Sequence, residues 1–211
     1  NALQWGSFYA LIALGYTLVY GVLTLINFAH GDVFMVGAYI AFFVATFLLA
    51  AAGLPGWAAL ALVIPLTMLL TSLVGVSLER IAYRPLRRKG ANRLYVVITA
   101  LMCGLILEHA NLAVFGASRK AFPTLIDEHV YTLGGVSFTN LKIAVIVTAV
   151  LVFVLLHWIV TRTRVGMAMR AISCDKFAVP LMGIPIDTII VATFALGSGM
   201  AGLAGLLFAM S

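Results

Sequence analysis

No aspartate, glutamate, lysine or arginine occurs between Asn1 and Gly31, and none occurs between Val33 and Leu78. A helix needs about 20 apolar residues to cross a bilayer. The first stretch therefore has room for one span. The second suits two, with Gly53-Leu54-Pro55-Gly56 as the turn between them. Leu94–Phe115, Leu141–Val160 and Thr188–Met210 supply a fourth, fifth and sixth span. A soluble domain carries about 25% charged residues, whereas here 9% are charged and 64% hydrophobic. The apolar residues do not alternate with the period of two that an outer-membrane barrel requires, so the spans are expected to be helices. The chain reads as an all-α integral membrane protein, a polytopic bundle of about six helices. It is expected to be a single transmembrane domain over 1–211. The abrupt start at Asn1, with no recognisable signal peptide, and the abrupt end at Ser211 suggest a truncated chain.

The charges between the spans set orientation. Arg80, Arg84, Arg87, Arg88, Lys89 and Arg93 fall in one connection, and Arg162, Arg164, Arg170 and Lys176 in another. Between these two lies the segment 116–140, longer and mixed, with Arg119 and Lys120 against Asp127 and Glu128. Positive charge is retained in the cytoplasm, so both basic connections are cytoplasmic and 116–140 is external. Counting spans backwards puts the Gly53–Gly56 turn and Asn1 outside. The net charge of +6 is thus topogenic and is not a nucleic-acid signal. Cys103 and Cys174 should lie at different depths, which argues against a disulfide between them.

One polar stretch interrupts the first 52 residues: Ile26-Asn27-Phe28-Ala29-His30-Gly31-Asp32. Polar groups without partners are costly at membrane depth. Either Asp32 caps the following helix in a surface turn, or two half-helices meet near mid-membrane and present free N–H groups to a polar solute. In the second case His30 would be a hydrogen-bonding wall residue. Glu108 and His109 fall in the outer half of the fourth span and are expected to satisfy one another. His157 reads as structural. The segment Glu79 to Arg87, with Glu79, Arg80, Arg84 and Pro85, closes the third span as topogenic charge plus an Arg–Glu pair. Met167, Ala171, Cys174, Ala178 and Met182 follow helical spacing, which predicts a short amphipathic helix within 162–184. It would lie on the membrane or dock in a partner's groove. Pro180 should interrupt it and Gly183 stop it. Gly197, Ala201 and Gly205, with Ser198 and Gly202, form a small-residue face for close helix approach, towards a pathway, a partner subunit or the bundle itself.

No catalytic or metal-ligating constellation stands out, and no phosphate-cradling glycine loop is present. Nucleotide, if used, belongs to another polypeptide. Several motifs are similar to one family. Gly15-Tyr16-Thr17-Leu18-Val19-Tyr20-Gly21-Val22, the 26–32 stretch and Met35-Val36-Gly37-Ala38-Tyr39 resemble the permease subunits of branched-chain amino acid ABC importers. So do Glu79-Arg80-x-Ala82-Tyr83-Arg84-Pro85 and Arg164-Val165-Gly166-x-x-x-Arg170-Ala171 with Met182-Gly183-Ile184.

The resemblance implies an inner-membrane subunit paired with a homologous permease, two cytoplasmic ATPase subunits and an external solute-binding protein. No cofactor would be bound by this chain, since ATP and Mg would be used by the partner. Asn27, Phe28, His30, Gly31, Asp32 and Gly37 would lie along the translocation pathway. The loop of about 162–187 would couple to the ATPase through Arg164, Gly166, Arg170, Ala171, Asp175, Ala178 and Gly183. Loop 116–140 would help receive the binding protein. Family members run on for further spans, and Pro180 departs from their pattern. An ion-driven secondary carrier of a small polar solute is the alternative, with Asp32 or Glu108 as its carboxylate. An intramembrane enzyme lacks paired catalytic residues.

Overall fold

The computed structural model describes residues 2–50, 53–118, 120–125, 129–133 and 136–211. Asn1, Arg119, Asp127 and Glu128, used above to assign orientation, lie outside the described residues. Among those described, six helices are long and apolar enough to cross a membrane. They are α1 (Ala2–Leu23), α2 (His30–Ala50), α3 (Gly56–Leu78), α5 (Arg93–Phe115), α6 (Asn140–Arg162) and α9 (Ile186–Ala209). The shorter helices α4 (Arg84–Arg88), α7 (Arg164–Cys174) and α8 (Ala178–Leu181) lie in the two basic connections.

Helix α9 is the post of the bundle, buried against α1, α2 and α3. Its small residues bring it there. Gly197 lies against Gly15 and Val19 of α1, Ser198 against Gly75 of α3, and Gly205 against Phe34 and Ala38 of α2. At the crossing of α2 with α9, a Cβ added to Gly37 would stand 2.5 Å from the Gly202 Cα, while one on Gly202 would strike Thr71. Only glycines allow backbones this close. The small-residue face is therefore used inside the bundle.

Two features go beyond the sequence reading. The third span does not end at Leu78, because a π-helical turn, Glu79–Tyr83, carries it into α4. Pro85 explains the turn: it has no N–H to give and its ring crowds the carbonyl four residues back. Widening the helix just before it, with Arg84 N–H bonding Glu79 O, relieves that clash. The external segment contains a hairpin. Strands β1 (Val130–Leu133) and β2 (Val136–Thr139) pair antiparallel, with the Tyr131 and Phe138 rings 6.0 Å apart.

Candidate functional site

Helix α1 ends at Leu23, and Thr24 turns the chain with φ of 54°. A β-branched residue rarely adopts that conformation, and the strain marks a backbone held by its surroundings. The chain then runs without helical structure through Leu25–Asn27, and α2 begins at His30. It begins beside the middle of α1, not at α1's end: His30 Nε2 donates to the Ile12 carbonyl at 3.2 Å. A carbonyl only accepts, so the bond fixes the ring proton on Nε2.

Helix rise gives the depth. From Ile186 to the Gly37–Gly202 crossing, α9 has climbed about 24 Å, whereas α2 has climbed only about 10 Å from His30. Helix α2 therefore starts about 14 Å beyond the level at which α9 starts, an offset of about half the roughly 30 Å thickness of a hydrocarbon layer. The 26–32 stretch is therefore a break level with the middle of α1, not a turn joining the ends of two full-length helices.

The break has two sides. Asn27 and His30 are buried, Asp32 is half-buried, and Phe28 and Gly31 are exposed. Tyr83 of the π turn donates to Asn27 Oδ1 at 2.7 Å, pinning the break to the third span. Asp32 lies against Gly104 of α5, where any Cβ would collide with its carboxylate. Glu108 stands one turn beyond Gly104, near enough for the two carboxylates to repel. It does not satisfy His109, whose Nδ1 instead donates to Leu105 O at 2.8 Å. Outward along α2, Tyr39 and Phe42 line a cavity of about 310 Å³ with Ser118 and Lys120. The Lys120 Nζ lies 5.8 Å from the ring centroids of both Phe42 and Phe43, a cation–π arrangement.

The cytoplasmic connections meet beneath the break. Thr163 ends α6 and caps α7, its hydroxyl accepting from Gly166 N at 3.1 Å. Gly166 sits so tightly in this corner that a Cβ would meet the Ile159 and Val160 carbonyls. Met169 and Ile172 of α7 then bury against Val22 of α1 and Ile189 of α9. Lys176 donates to the Leu23 carbonyl at 2.6 Å and to Thr24 Oγ1 at 3.2 Å. The connection is thus tied to the residue at which the break begins.

A family model, described as branched-chain amino acid transport system / permease component, matches residues 1–211. The chain belongs to that family. It is 40% identical over 222 residues to the high-affinity branched-chain amino acid transport system permease protein BraD of Pseudomonas aeruginosa, covering 100% of this chain and 69% of that relative. It is 34% identical over 212 residues to the corresponding permease protein LivH of Escherichia coli, covering 98% and 68%. No solved structure matches it. As a permease component with six apolar helices it is a multi-pass inner-membrane protein and not an enzyme. The ion-driven carrier alternative loses its support.

Within this permease the expected residues sort differently from their expected roles. Asn27, Phe28, His30, Gly31 and Asp32 come together at the break, but Gly37 does not line it: it is closed against the Gly202 backbone. Arg164 and Arg170 are exposed, and the Arg170 Nη1 donates to Thr161 O at 3.4 Å. Ala171 is half-buried. Asp175 ends α7, five residues before Pro180, because its Oδ1 accepts from Phe177 N at 2.8 Å and Ala178 N at 3.1 Å and so starts the next turn. Pro180 fits within α8, and Gly183, at φ of 76°, makes the stop. The connection presents two apolar sets on opposite faces. Met167, Cys174, Ala178 and Met182 are exposed, whereas Ala168, Met169, Ile172 and Val179 are buried.

The expected Arg–Glu pair exists, between the two ends of the Glu79–Arg87 segment. Arg87 Nη2 bonds Glu79 Oε1 at 3.0 Å and Asp187 Oδ1 at 2.6 Å. Arg84 and Arg88 reach Asp187 Oδ2 at 2.7 and 2.9 Å. Arg80 and Pro85 are exposed, and Arg80 takes no part in these ion pairs. Asp187, Tyr83 and Lys176 hold this junction together and were not among the expected site residues. A signal existed for the first: it is the one acid in the first turn of α9, after a run of basic connections.

Proposed function

We propose that the chain is a permease subunit of an ATP-binding-cassette importer that carries branched-chain amino acids or related small amides. The observation that carries this reading is the start of α2 at half depth beside Ile12, with His30 and Asp32 in its first turn. A helix begun there turns its N–H groups and partial positive end towards a solute inside the membrane. The substrate class comes from the relatives, BraD and LivH, whose names specify branched-chain amino acid transport.

Movement would enter from below. Phe177, Leu181 and Met182 are exposed at 90%, 89% and 76% on the second basic connection, an apolar tip flanked by Arg170 and Arg164. Two cytoplasmic ATPase subunits would grip it, and ATP with Mg would be consumed there. α7 would pass the displacement to Val22 and Ile189, and Lys176 to Leu23 and Thr24. The break would then open alternately to either side. A homologous second permease would complete the path, and an external binding protein would deliver solute at 116–140. Replacing Arg170 with Glu in the reconstituted importer is expected to leave ATPase activity but remove most binding-protein-dependent leucine uptake. Unchanged uptake would remove the 164–183 segment from the drive train.

A further inference from the structure

Beneath the break lies a cavity of about 130 Å³ that none of the roles above uses. Its walls are apolar: Val19 and Leu23 from the last turns of α1, Val96 from α5 and Phe194 from α9. Leu25, Ile26 and Asn27 of the break close one end, with Tyr83. Because the Tyr83 hydroxyl occupies Asn27 Oδ1 at 2.7 Å, what the amide still offers is N–H. Arg87 and Arg93 stand at the cytoplasmic end.

The surroundings are electropositive beyond those two. Arg84, Arg87 and Arg88 share only Asp187 and Glu79, three positive charges against two negative, which leaves one over. Arg93 makes no ion pair among the described residues. Lys176 reaches Leu23, itself a wall residue, from outside. Burial first, then the charges of Arg93 and Arg87, hold Lys176 below the ordinary lysine value, an independent sign of crowded positive charge. A guanidinium left without a carboxylate beside an apolar, donor-lined space is suited to an occupant with a carboxylate at one end and an aliphatic body at the other.

We propose that this cavity is an exit-side binding site for a small branched aliphatic carboxylate, with the carboxylate on Arg93 and Asn27 and the branched chain between Val19, Val96 and Phe194. Resting on the importer reading, it gives the transported amino acid a station on the cytoplasmic half of the break. Arg87 is partly committed to Glu79 and Asp187, so a ligand carboxylate there competes with the ties that hold α9 to the third span. Occupancy of the cavity would in that way be felt by the network that closes the cytoplasmic end.

The assembled importer in lipid nanodiscs, without its binding protein, is titrated calorimetrically with leucine, 4-methylpentanoate and 3-methylbutylamine. Leucine and 4-methylpentanoate are expected to bind, and the amine, which lacks the carboxylate, is not. Arg93→Gln should raise both dissociation constants about tenfold or more, the loss of one charge-assisted contact. Val96→Trp, which fills the space, should remove binding altogether. Binding of 4-methylpentanoate alone, still weakened by Arg93→Gln, keeps the carboxylate site but assigns it to a deaminated acid instead of the cargo. Equal binding of the amine, no binding of either acid, or dissociation constants unchanged in both variants would overturn the site. Binding-protein-dependent leucine uptake by the same complex separates the two readings. Uptake without any such binding sinks the cavity and spares the importer. Carboxylate binding without leucine uptake spares the cavity and sinks the substrate assignment.

Discussion

Helices α9 and α5 have 24 and 23 residues and nearly the same apolar character, yet 78% of the apolar stretch of α9 is buried and only 22% of that of α5. The difference lies in side-chain size. Helix α9 carries Gly197, Ser198, Ala201, Gly202 and Gly205, which let three neighbours approach its backbone. Helix α5 carries Leu101, Met102, Leu105 and Ile106 on an open side and touches the bundle along Val96, Ala100, Gly104 and Asn111. One helix is a fixed post; the other is attached by a single stripe, and the break lies between them. Glu108 sharpens the contrast. Exposed at the edge of that stripe, one turn beyond Gly104, its carboxylate is costly against lipid, so this edge suits a wet path better than hydrocarbon.

The contrast can be broken most directly at the post. Gly202→Leu should cost about 1–3 kcal/mol or more, because the added side chain meets Thr71 and the neighbouring backbone with nowhere to go. The readout is yield and melting midpoint of the purified complex, with Leu105→Ala on α5 as the counterpart that changes little. Equal midpoints for the two variants would show that α9 is no post. A smaller loss is expected from Asp187→Asn, which leaves Arg84, Arg87 and Arg88 facing one another at the foot of α9. Discounted for the water that reaches Asp187, about 1–2 kcal/mol is at stake. Restoring the wild-type midpoint by adding Arg84→Gln would confirm the charge imbalance as cause.

The attachment of α5 is tested by Gly104→Ala. The methyl group displaces the Asp32 carboxylate while leaving the rest of the stripe intact. Leucine uptake should fall several-fold with the melting midpoint nearly unchanged, and normal uptake would mean that Asp32 tolerates any position. The smallest effect concerns Lys176. Its folded value lies below its unfolded one, so the folded state binds less proton through that interval. The contribution of Lys176 to stability therefore grows as pH rises from the lowered folded value towards the ordinary lysine value. In Lys176→Met that increment should vanish from the pH profile of the midpoint, and an identical profile would count against burial of the amine.

Much of the scaffold was legible because charge-free runs of about 20 residues leave few alternatives. All six spans lie within a few residues of their sequence-derived limits, except at the third, where Pro85 called for a π turn that hydropathy does not register. The break was visible as a polar interruption, but its depth was not. Depth depends on Ile12 and Gly15 lying beside His30, and on Gly197 beside Gly15, contacts made between distant segments. Gly37 misled for the same reason: spacing marks a small residue but not whether its neighbour is backbone or water. In the second basic connection, Met167 and Cys174 matched a helical period that about half a turn of phase separates from the buried set of Met169 and Ile172. Periodicity reports a face and leaves open which face is covered. Asp187 and Tyr83 form their bonds with partners about 100 and 56 residues away, beyond any local pattern.

The account stands on a water-reachable break at the centre of the membrane. Gly31, exposed and with nothing within 4 Å of an added Cβ, is the place to test it. In the assembled importer with Cys103 and Cys174 replaced by Ser, Gly31→Cys is treated with a membrane-impermeant maleimide from either face, with and without ATP. Modification at a rate that ATP shifts from one face to the other is expected. A cysteine that reacts only from the cytoplasmic face, as fast as Lys89→Cys and regardless of ATP, would make the stretch a surface turn and contradict the account.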